Sequence, residues 1–274
     1  MEKKLKSWQG WLLFGGTMVV VFVLGMIAAS VNERHAEVTS VMNNKKTEIT
    51  GIEARNDKFE PNYPREYQTW EATADTSFKS LYNGNQAVDV LEARPEMVIL
   101  WAGYAFSKDY STPRGHMYAI EDMRNTLRVG APMTENEGPQ PATCWTCKSP
   151  DVPRMMQAMG VDNFYKGKWA SLGKEIVNPI GCADCHEPEN MNLHISRPAL
   201  IEAFQRQGKD ITKATQQEMR SLVCAQCHVE YYFKGDGKYL TFPWDKGSTV
   251  EDMEAYYDEA GFSDYTHKLS RAPI

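Results

Sequence analysis

The chain has 274 residues, of which 42% are hydrophobic, and a formal net charge of −6 at pH 7. A sequence pI near 5.6 provides no basic surface of the kind that nucleic-acid binding requires, so no nucleic-acid partner is predicted. The length suits one large domain or two small ones, and the composition does not indicate general disorder.

The N-terminus has the pattern of a membrane segment. Three lysines, Lys3, Lys4 and Lys6, precede an uncharged and mainly apolar run from Gly10 to Ser30. A run of this length is about what a helix needs to cross a bilayer. By the positive-inside rule, residues 1–9 stay in the cytoplasm and everything after residue 30 is exported.

The apolar run has two alternative fates after export. A cleaved signal peptide is one, because Ala28-Ala29-Ser30 is an acceptable small-residue cleavage site. An uncleaved transmembrane anchor over residues 10–30 is favoured, because the run is longer than the apolar core of most signal peptides. The rest of the chain is therefore expected on the periplasmic side, anchored to the inner membrane if the segment is retained.

The remainder divides into a linker and a folded domain. Residues 31–60 are polar, lack an apolar period and are interpreted as a linker, and residues 61–274 form the predicted domain. Helical stretches are predicted at 65–82, 116–128, 196–218 and 249–260, separated by loops with Pro and Gly. No convincing alternating strand pattern occurs.

All six cysteines fall into three pairs with two intervening residues. The first motif is Cys144 to Lys148, with Cys147; the second is Cys182 to His186, with Cys185; the third is Cys224 to His228, with Cys227. Cys-x-x-Cys-His is the attachment signature of c-type haem. The two thiols form thioethers with the haem, and the adjacent histidine binds the iron.

Disulfides and zinc are the alternatives to haem. Local pairs would close only tiny disulfide rings, and three independent pairs do not match a four-ligand zinc site. The sequence therefore favours three covalent haem c groups. The predicted fold is mainly α, a multihaem cytochrome c fold of helices and loops packed around covalent haems, with an N-terminal transmembrane helix. Segments of roughly 40 residues per haem are too short for independent cores, so the porphyrins are expected to supply much of the interior.

Lys148 stands where the first motif should have histidine. Lysine binds iron only as the neutral amine, and deprotonation at pH 7 from a pKa near 10.4 costs roughly 4–5 kcal/mol. Chemistry alone leaves two interpretations. Either Lys148 is the iron ligand, or it is a surface lysine and a histidine from elsewhere binds this haem.

The chain resembles the ammonia-forming cytochrome c nitrite reductases from about residue 61 to the C-terminus. The resemblance is carried by the Cys-Trp-x-Cys-Lys motif followed by two Cys-x-x-Cys-His motifs, by Arg114-Gly115-His116, and by residues 125–132 and 224–233. In that family the lysine-ligated haem binds nitrite on its open face, and six electrons convert nitrite to ammonia. The other haems relay the electrons.

The resemblance implies roles for further residues. It makes Lys148, His186 and His228 the proximal iron ligands, and His116 a distal ligand of a haem that the sequence does not identify. Arg128 and Tyr231 become the catalytic residues: a permanent cation suits an anionic substrate, and a phenol can donate a proton or orient an intermediate. Glu230 and the carbonyl of Tyr231 become calcium ligands, a donor set that suits calcium. His194 and His267 match no motif and are interpreted as ordinary polar residues.

The resemblance also implies that the chain is an incomplete fragment. The family has five haems, and its members continue into a Lys-x-Gln-His segment where this sequence stops at Ile274. We therefore expect a longer parent protein, with a homodimer formed through the missing C-terminal half. The implied partners are nitrite and a quinol-linked electron donor or a small membrane cytochrome.

Two alternatives remain for the function. A membrane-anchored electron-transfer cytochrome without its own substrate site would also use an anchor and three haems, although it does not need Lys148, Arg128 or Tyr231. An enzyme with the same architecture could instead reduce hydroxylamine or sulfite at the open haem.

Overall fold

The computed structural model describes residues 7–43, 45–79, 81, 85–129 and 140–274; the side chains of residues 41–43 and of Arg128 lie outside this description. The chain divides into two compact units, Met1–Thr47 and Glu48–Ile274.

The first unit contains one long helix, α1, from Ser7 to Asn43. Its apolar part has a mean hydropathy of 2.4 and none of it is buried. A helix that is apolar on every face has no stripe with which to pack on a soluble core. By length and composition α1 can cross a membrane, and a signal sequence shares these features. The helix continues beyond the predicted span, through the polar residues up to Asn43.

The second unit consists mainly of short helices joined by loops. Its α-helices are α2 Pro64–Glu71, α3 Val90–Ala93, α4 Met97–Leu100, α5 Ala119–Asn125, α6 Asp151–Met159, α7 Val161–Lys166, α8 Trp169–Leu172, α9 Cys182–Cys185, α10 Pro198–Arg206, α11 Gln216–Ala225 and α12 Val250–Ala260. Short 3-10 helices lie at Asn56–Lys58, Ala72–Ala74, Ala105–Ser107, His116–Tyr118, Leu127–Val129, Ala142–Trp145, Gly173–Glu175 and Ile211–Lys213.

One small antiparallel hairpin lies among the helices. Strand β1, Tyr232–Lys234, pairs with β2, Tyr239–Thr241, with Phe233 opposite Leu240. The turn between the strands contains Lys238 at φ +52°. This hairpin was not predicted, because strands of three residues are too short to show an alternating pattern in the sequence.

The predicted helix at 196–218 is two helices. Helix α10 ends at Arg206, and Gly208 at φ +68° turns the chain away. Helix α11 then begins after Thr215, whose hydroxyl accepts from the Glu218 amide at 3.2 Å while the Glu218 carboxylate accepts from the Thr215 amide at 2.7 Å. This reciprocal cap starts a new helix. The predicted helix at 249–260 corresponds to α12, which Thr249 caps in the same way.

The hydrophobic core is built by α6, α7, α8, α10 and β2. Its most deeply buried members are Trp145, Val152, Phe164, Tyr165, Leu200 and Phe242. Trp145 stacks on Trp169 with ring centroids 4.5 Å apart and planes inclined by 14°. The polypeptide therefore supplies a continuous core around the first motif.

The second unit begins before the predicted domain boundary at residue 61. Phe59 is fully buried and Ile49 nearly so. The buried Asn56 side chain accepts from the Cys182 amide at 2.9 Å and donates to the Pro179 carbonyl at 3.0 Å. Part of the segment predicted as a linker thus packs against the second motif. Its few apolar residues are too widely spaced to form a period that the sequence could reveal.

Close packing at Asn56 explains the glycine before the second motif. A Cβ on Gly181 would lie 2.0 Å from the Asn56 Oδ1 atom. We expect Gly181→Ala to displace Asn56, break its bond to the Cys182 amide and lower the free energy of unfolding by about 1–3 kcal/mol, the usual effect of overpacking. The midpoint of urea unfolding of the haem-loaded protein measures this loss.

Gly237→Ala is the matched control, since the nearest atom to its added Cβ is Lys166 Cε at 3.4 Å. The double variant Asn56→Ala/Gly181→Ala should be no less stable than Asn56→Ala alone. Equal stability of the Gly181→Ala and Gly237→Ala variants would contradict the proposed contact.

Candidate functional site

The first motif is held in place by its tryptophan. Cys144 lies in the 3-10 helix Ala142–Trp145, and the Trp145 indole donates from Nε1 to the Trp169 carbonyl at 2.9 Å. The Lys148 amide donates to the Trp145 carbonyl at 3.0 Å. The two cysteines and the lysine therefore lie on one compact turn whose centre is anchored in the core.

The second motif forms the single turn of α9. The His186 amide continues this turn by donating to the Cys182 carbonyl at 2.9 Å. The His186 ring nitrogen Nδ1 lies 2.7 Å from the Met191 carbonyl oxygen. A histidine that donates from one ring nitrogen to a carbonyl keeps the other nitrogen available for a metal. Because the Met191 carbonyl can only accept, Nδ1 of His186 carries the hydrogen and Nε2 is left available to bind a metal.

The third motif lies at the end of α11 and meets His116. The ring centroids of His116 and His228 are 6.2 Å apart. Two imidazoles that bind one metal ion from opposite sides, each through a nitrogen at about 2 Å, have centroids roughly 6 Å apart. Burial, reinforced by His228, lowers the pKa of His116, which favours the neutral ring that binds metals.

A local anchor holds His116 at this position. Gly115 adopts φ +89°, a conformation that favours glycine, and begins the 3-10 helix His116–Tyr118. The neighbouring Arg114 guanidinium pairs with Asp122 at 2.6 Å and with Glu121 at 2.8 Å. These charged hydrogen bonds raise the pKa of Arg114. The Arg-Gly-His sequence thus fixes the backbone that presents the histidine.

The three motifs are neighbours in space. A hydrogen bond with the Cys227 thiol lowers the pKa of the Cys147 thiol, so the first and third motifs touch. Cys185 of the second motif lies within electrostatic range of Cys224, and α9 packs on α11. The third motif is therefore adjacent to both of the others.

The remaining predicted site residues are only partly described. Tyr231 is 45% exposed, and its ring stacks on Phe233 with centroids 5.8 Å apart. Partial desolvation raises the pKa of Tyr231. The Glu230 carboxylate accepts from the Tyr257 hydroxyl at 2.9 Å. Arg128 lies in the 3-10 helix Leu127–Val129, and its side chain lies outside the described residues.

The two histidines of the second unit that match no motif, His194 and His267, bond to protein atoms. His194 contacts Glu187 through Nδ1 at 2.6 Å and the Ala183 carbonyl through Nε2 at 3.2 Å. His267 contacts Ser270 through Nδ1 at 2.8 Å and the Ile99 carbonyl through Nε2 at 3.0 Å. Both rings have polar partners at each nitrogen.

A family model described as cytochrome c552 matches residues 55–274. The chain belongs to the cytochrome c552 family. The chain is 99% identical over 274 residues to a cytochrome c-552 of Parabacteroides distasonis, covering all of this chain and 56% of that protein. A cytochrome c-552 of Bacteroides thetaiotaomicron is 78% identical with the same coverage. The chain thus spans about half the length of the curated relatives it matches.

A solved structure gives the same fold. The catalytic subunit of a cytochrome c nitrite reductase from Desulfovibrio desulfuricans, described with two calcium sites, matches with a TM-score of 0.75 and 32% identity. The match covers 83% of this chain and 53% of that one. The resemblance and the mainly helical multihaem cytochrome fold predicted from the sequence are therefore confirmed.

The residues of this cytochrome c552 chain fit c-type haem. All six thiols are free, and each pair lies on one turn beside a lysine or histidine. Among the described residues, no group of three or more His, Cys, Asp or Glu side chains converges as it would around a metal ion. Paired thiols with an adjacent lysine or histidine suit a covalently attached porphyrin, whose iron needs only axial ligands from the protein.

Sequence reasoning missed two residues that support the motifs. Asn56 holds the backbone at Cys182. Arg197 is fully buried and donates to the Thr146 carbonyl within the first motif at 2.7 Å. Neither belongs to a recognisable motif, and an arginine in a loop is usually solvated.

Proposed function

We propose that this chain is the part of an ammonia-forming nitrite reductase that carries the lysine-ligated haem. The observation that carries the proposal is Lys148, which replaces the usual histidine in a motif that is anchored by Trp145 and touches the third motif. An electron carrier has no need of this replacement. The likeness to a cytochrome c nitrite reductase supports the same conclusion.

Three covalent haems are proposed for this chain. The thiols of Cys144 and Cys147, Cys182 and Cys185, and Cys224 and Cys227 would hold them, with Lys148, His186 and His228 as proximal ligands. When bound, the haems supply electron transfer and, at the iron held by Lys148, a coordination position for nitrite. The adjacency of the third motif to the other two supports electron exchange among all three.

The protein residues around the open position have distinct proposed roles. Lys148 acts as a neutral amine, whose proton is lost on binding. Arg128 is a permanent cation that attracts nitrite and stabilises negative charge on its oxygens. The Tyr231 phenol is kept protonated by its raised pKa and can donate a hydrogen bond or a proton.

Calcium is proposed to bind next to this site. Glu230 supplies a carboxylate and Tyr231 a backbone carbonyl, and both are hard oxygen donors. The Tyr257 hydroxyl donates to the Glu230 carboxylate at 2.9 Å and so holds its orientation. Calcium would thereby fix the backbone that carries the tyrosine.

His116 is proposed as the distal ligand of the haem attached to the third motif, since its ring faces His228. Replacing His116 with alanine should leave this haem attached through its thioethers but open one axial position. In the full-length protein, cyanide should then perturb one more haem than in the wild type. His267→Ala is the control, because its ring contacts only Ser270 and a carbonyl, and it should leave the count unchanged. An unchanged count in both variants would refute this ligand assignment.

The periplasmic location is supported by α1, which fits a membrane anchor or a signal. N-terminal sequencing of the haem protein released from spheroplasts by protease distinguishes these fates. If α1 is an anchor, residues 1–30 remain with the membrane. A soluble mature chain that starts near residue 31 would establish a cleaved signal instead.

The function is tested in the full-length protein. Nitrite or cyanide titration of the oxidised form should perturb a single high-spin haem, and steady-state turnover should rank nitrite against hydroxylamine and sulfite. Intact mass of the present chain, matured in a strain that attaches c-type haem, should show three haems. If every haem in the complete protein is low-spin and unresponsive, the membrane-anchored electron carrier becomes the better assignment.

A further inference from the structure

The residue before the second cysteine is buried in every motif. This position is occupied by Thr146 in the first motif, Asp184 in the second and Gln226 in the third. Their exposed fractions are 0%, 4% and 1%. In an attachment motif, the thiols and the axial ligand make the contacts with haem, so these residues are free to make protein contacts. Their polar groups require hydrogen bonds where they lie.

Arg197 connects the first motif to the second. Its side chain is 1% exposed. It donates from Nε to the Thr146 carbonyl at 2.7 Å and from Nη2 to the Ser149 carbonyl at 2.8 Å. The same Nη2 atom forms an ion pair with the Asp184 carboxylate. A buried guanidinium is tolerated only when it is paired and hydrogen-bonded in this way.

Ser196 connects the third motif to the same point. Its amide donates to the Gln226 Oε1 atom at 3.0 Å, and its hydroxyl accepts from Arg197 Nη1 at 2.6 Å. Gln226 in turn donates from Nε2 to the Asp184 carbonyl at 2.6 Å. Asp184 therefore accepts hydrogen bonds from both Arg197 and Gln226. The network thus connects residues of all three motifs.

Helix α10 makes this network rigid. Arg197 immediately precedes Pro198, the first residue of the helix, and Ala199, Leu200 and Ala203 are buried in the core. Arg197 and Ser196 are thus attached to a fixed element. Since the network is buried and its donors are paired, a shift of one motif would break bonds to the others.

We propose that Ser196 and Arg197 form a hub that holds the three haem-attachment motifs at fixed relative positions. Arg197 is therefore a positioning residue for electron transfer among the groups attached there. Its guanidinium bonds to the first motif and pairs with the second, so its positive charge should favour the reduced state of haem attached there. The inference rests on the haem attachment of the proposed function.

The test compares four forms of the full-length, haem-loaded protein: wild type, Arg197→Met, Asp184→Asn/Arg197→Met and Arg206→Met. Arg206 is the matched control, because it lies at the end of α10, the helix that Arg197 precedes, pairs with Asp245 at 2.6 Å and donates to the Phe242 carbonyl, but bonds to no motif residue. Haem content is measured by intact mass, midpoint potentials by optical redox titration, and nitrite kcat and KM by steady-state assay.

Arg197→Met should lower the ratio of reduced to oxidised haem about tenfold at a fixed potential, equivalent to about 59 mV for a one-electron couple. Its kcat should fall with an unchanged KM for nitrite. The charge-balanced double variant should recover the potentials but keep the low kcat, because the motifs stay unlinked. Arg206→Met should resemble the wild type in both.

Two results would overturn the hub: Arg197→Met with the potentials and kcat of Arg206→Met, or a double variant in which kcat recovers together with the potentials. If Arg197→Met does not accumulate, Arg197→Lys replaces it, since lysine keeps the charge without the planar fork. Unchanged potentials with a reduced kcat then support the hub, and a wild-type kcat refutes it. If the present chain, matured with its wild-type sequence, does not carry three haems by intact mass, the proposed function is refuted instead of the hub.

Discussion

A Lys148→His variant of the full-length protein should keep all of its covalent haem and lose most of its nitrite turnover. The thioethers of Cys144 and Cys147 do not depend on the axial ligand, so attachment should persist. An imidazole differs from an amine in size, reach and donor strength, and the Lys148 backbone is fixed by its bond to the Trp145 carbonyl. Substitutions of residues that support a metal ligand typically lower activity by roughly 10–100-fold. Replacing the ligand itself should lower nitrite turnover at least as much.

Intact mass and steady-state nitrite turnover measure the two effects separately. Lys213→His is the control, because the Lys213 side chain is 83% exposed and pairs only with Asp210 at 3.9 Å. It should retain both haem and activity. If Lys148→His also retained full turnover, Lys148 would be a surface residue and the first haem would take its ligand from elsewhere.

The haem motifs were predictable because their chemistry is local. Two thiols and an axial ligand within five residues define covalent attachment without reference to the rest of the fold. The same is true of α12, whose start is marked by Thr249 and Asp252. In each case the residues that interact are also close in the sequence.

Contacts between distant segments were not predictable in this way. In the sequence, only the resemblance pointed to His116 as a haem ligand, and its position near His228 is visible only in the fold. Asn56 was assigned to a linker, although it bonds to the Cys182 amide. Such contacts leave no periodic pattern, since each depends on one polar side chain rather than on an apolar face.

The sharing of one core among several segments was also not predicted from the sequence. Each segment between motifs is too short for an independent core, which suggested that porphyrins supply much of the interior. In the structure the segments share one core, in which Trp145 from the first motif lies with Leu200 of α10 and Phe242. Pooling apolar residues from several segments overcomes the limit that applies to each alone.

Arg128→Ala in the full-length protein should lower nitrite kcat by roughly 10²–10³-fold, the usual effect of removing a preorganised electrostatic contact. The backbone at Arg128 is well placed for preorganisation. Its neighbour Val129 is buried, and Arg124 donates to the Gly173 and Ile176 carbonyls at 2.8 and 2.9 Å. Gly173 in turn packs against the Trp145 ring, so this segment is tied to the first motif.

The pattern of kinetic constants tests the proposed role of the charge. If Arg128 stabilises charge that develops during reduction, kcat and kcat/KM fall together, whereas a purely substrate-binding cation would raise KM alone. Arg128→Lys should recover part of the rate, because it keeps the charge but loses the planar fork. Lys213→Ala, which removes an exposed cation elsewhere, should have no effect on either constant. Unchanged kcat and KM in Arg128→Ala, with intact haem content, would remove Arg128 from the active site and leave Lys148 as the main support for the nitrite assignment.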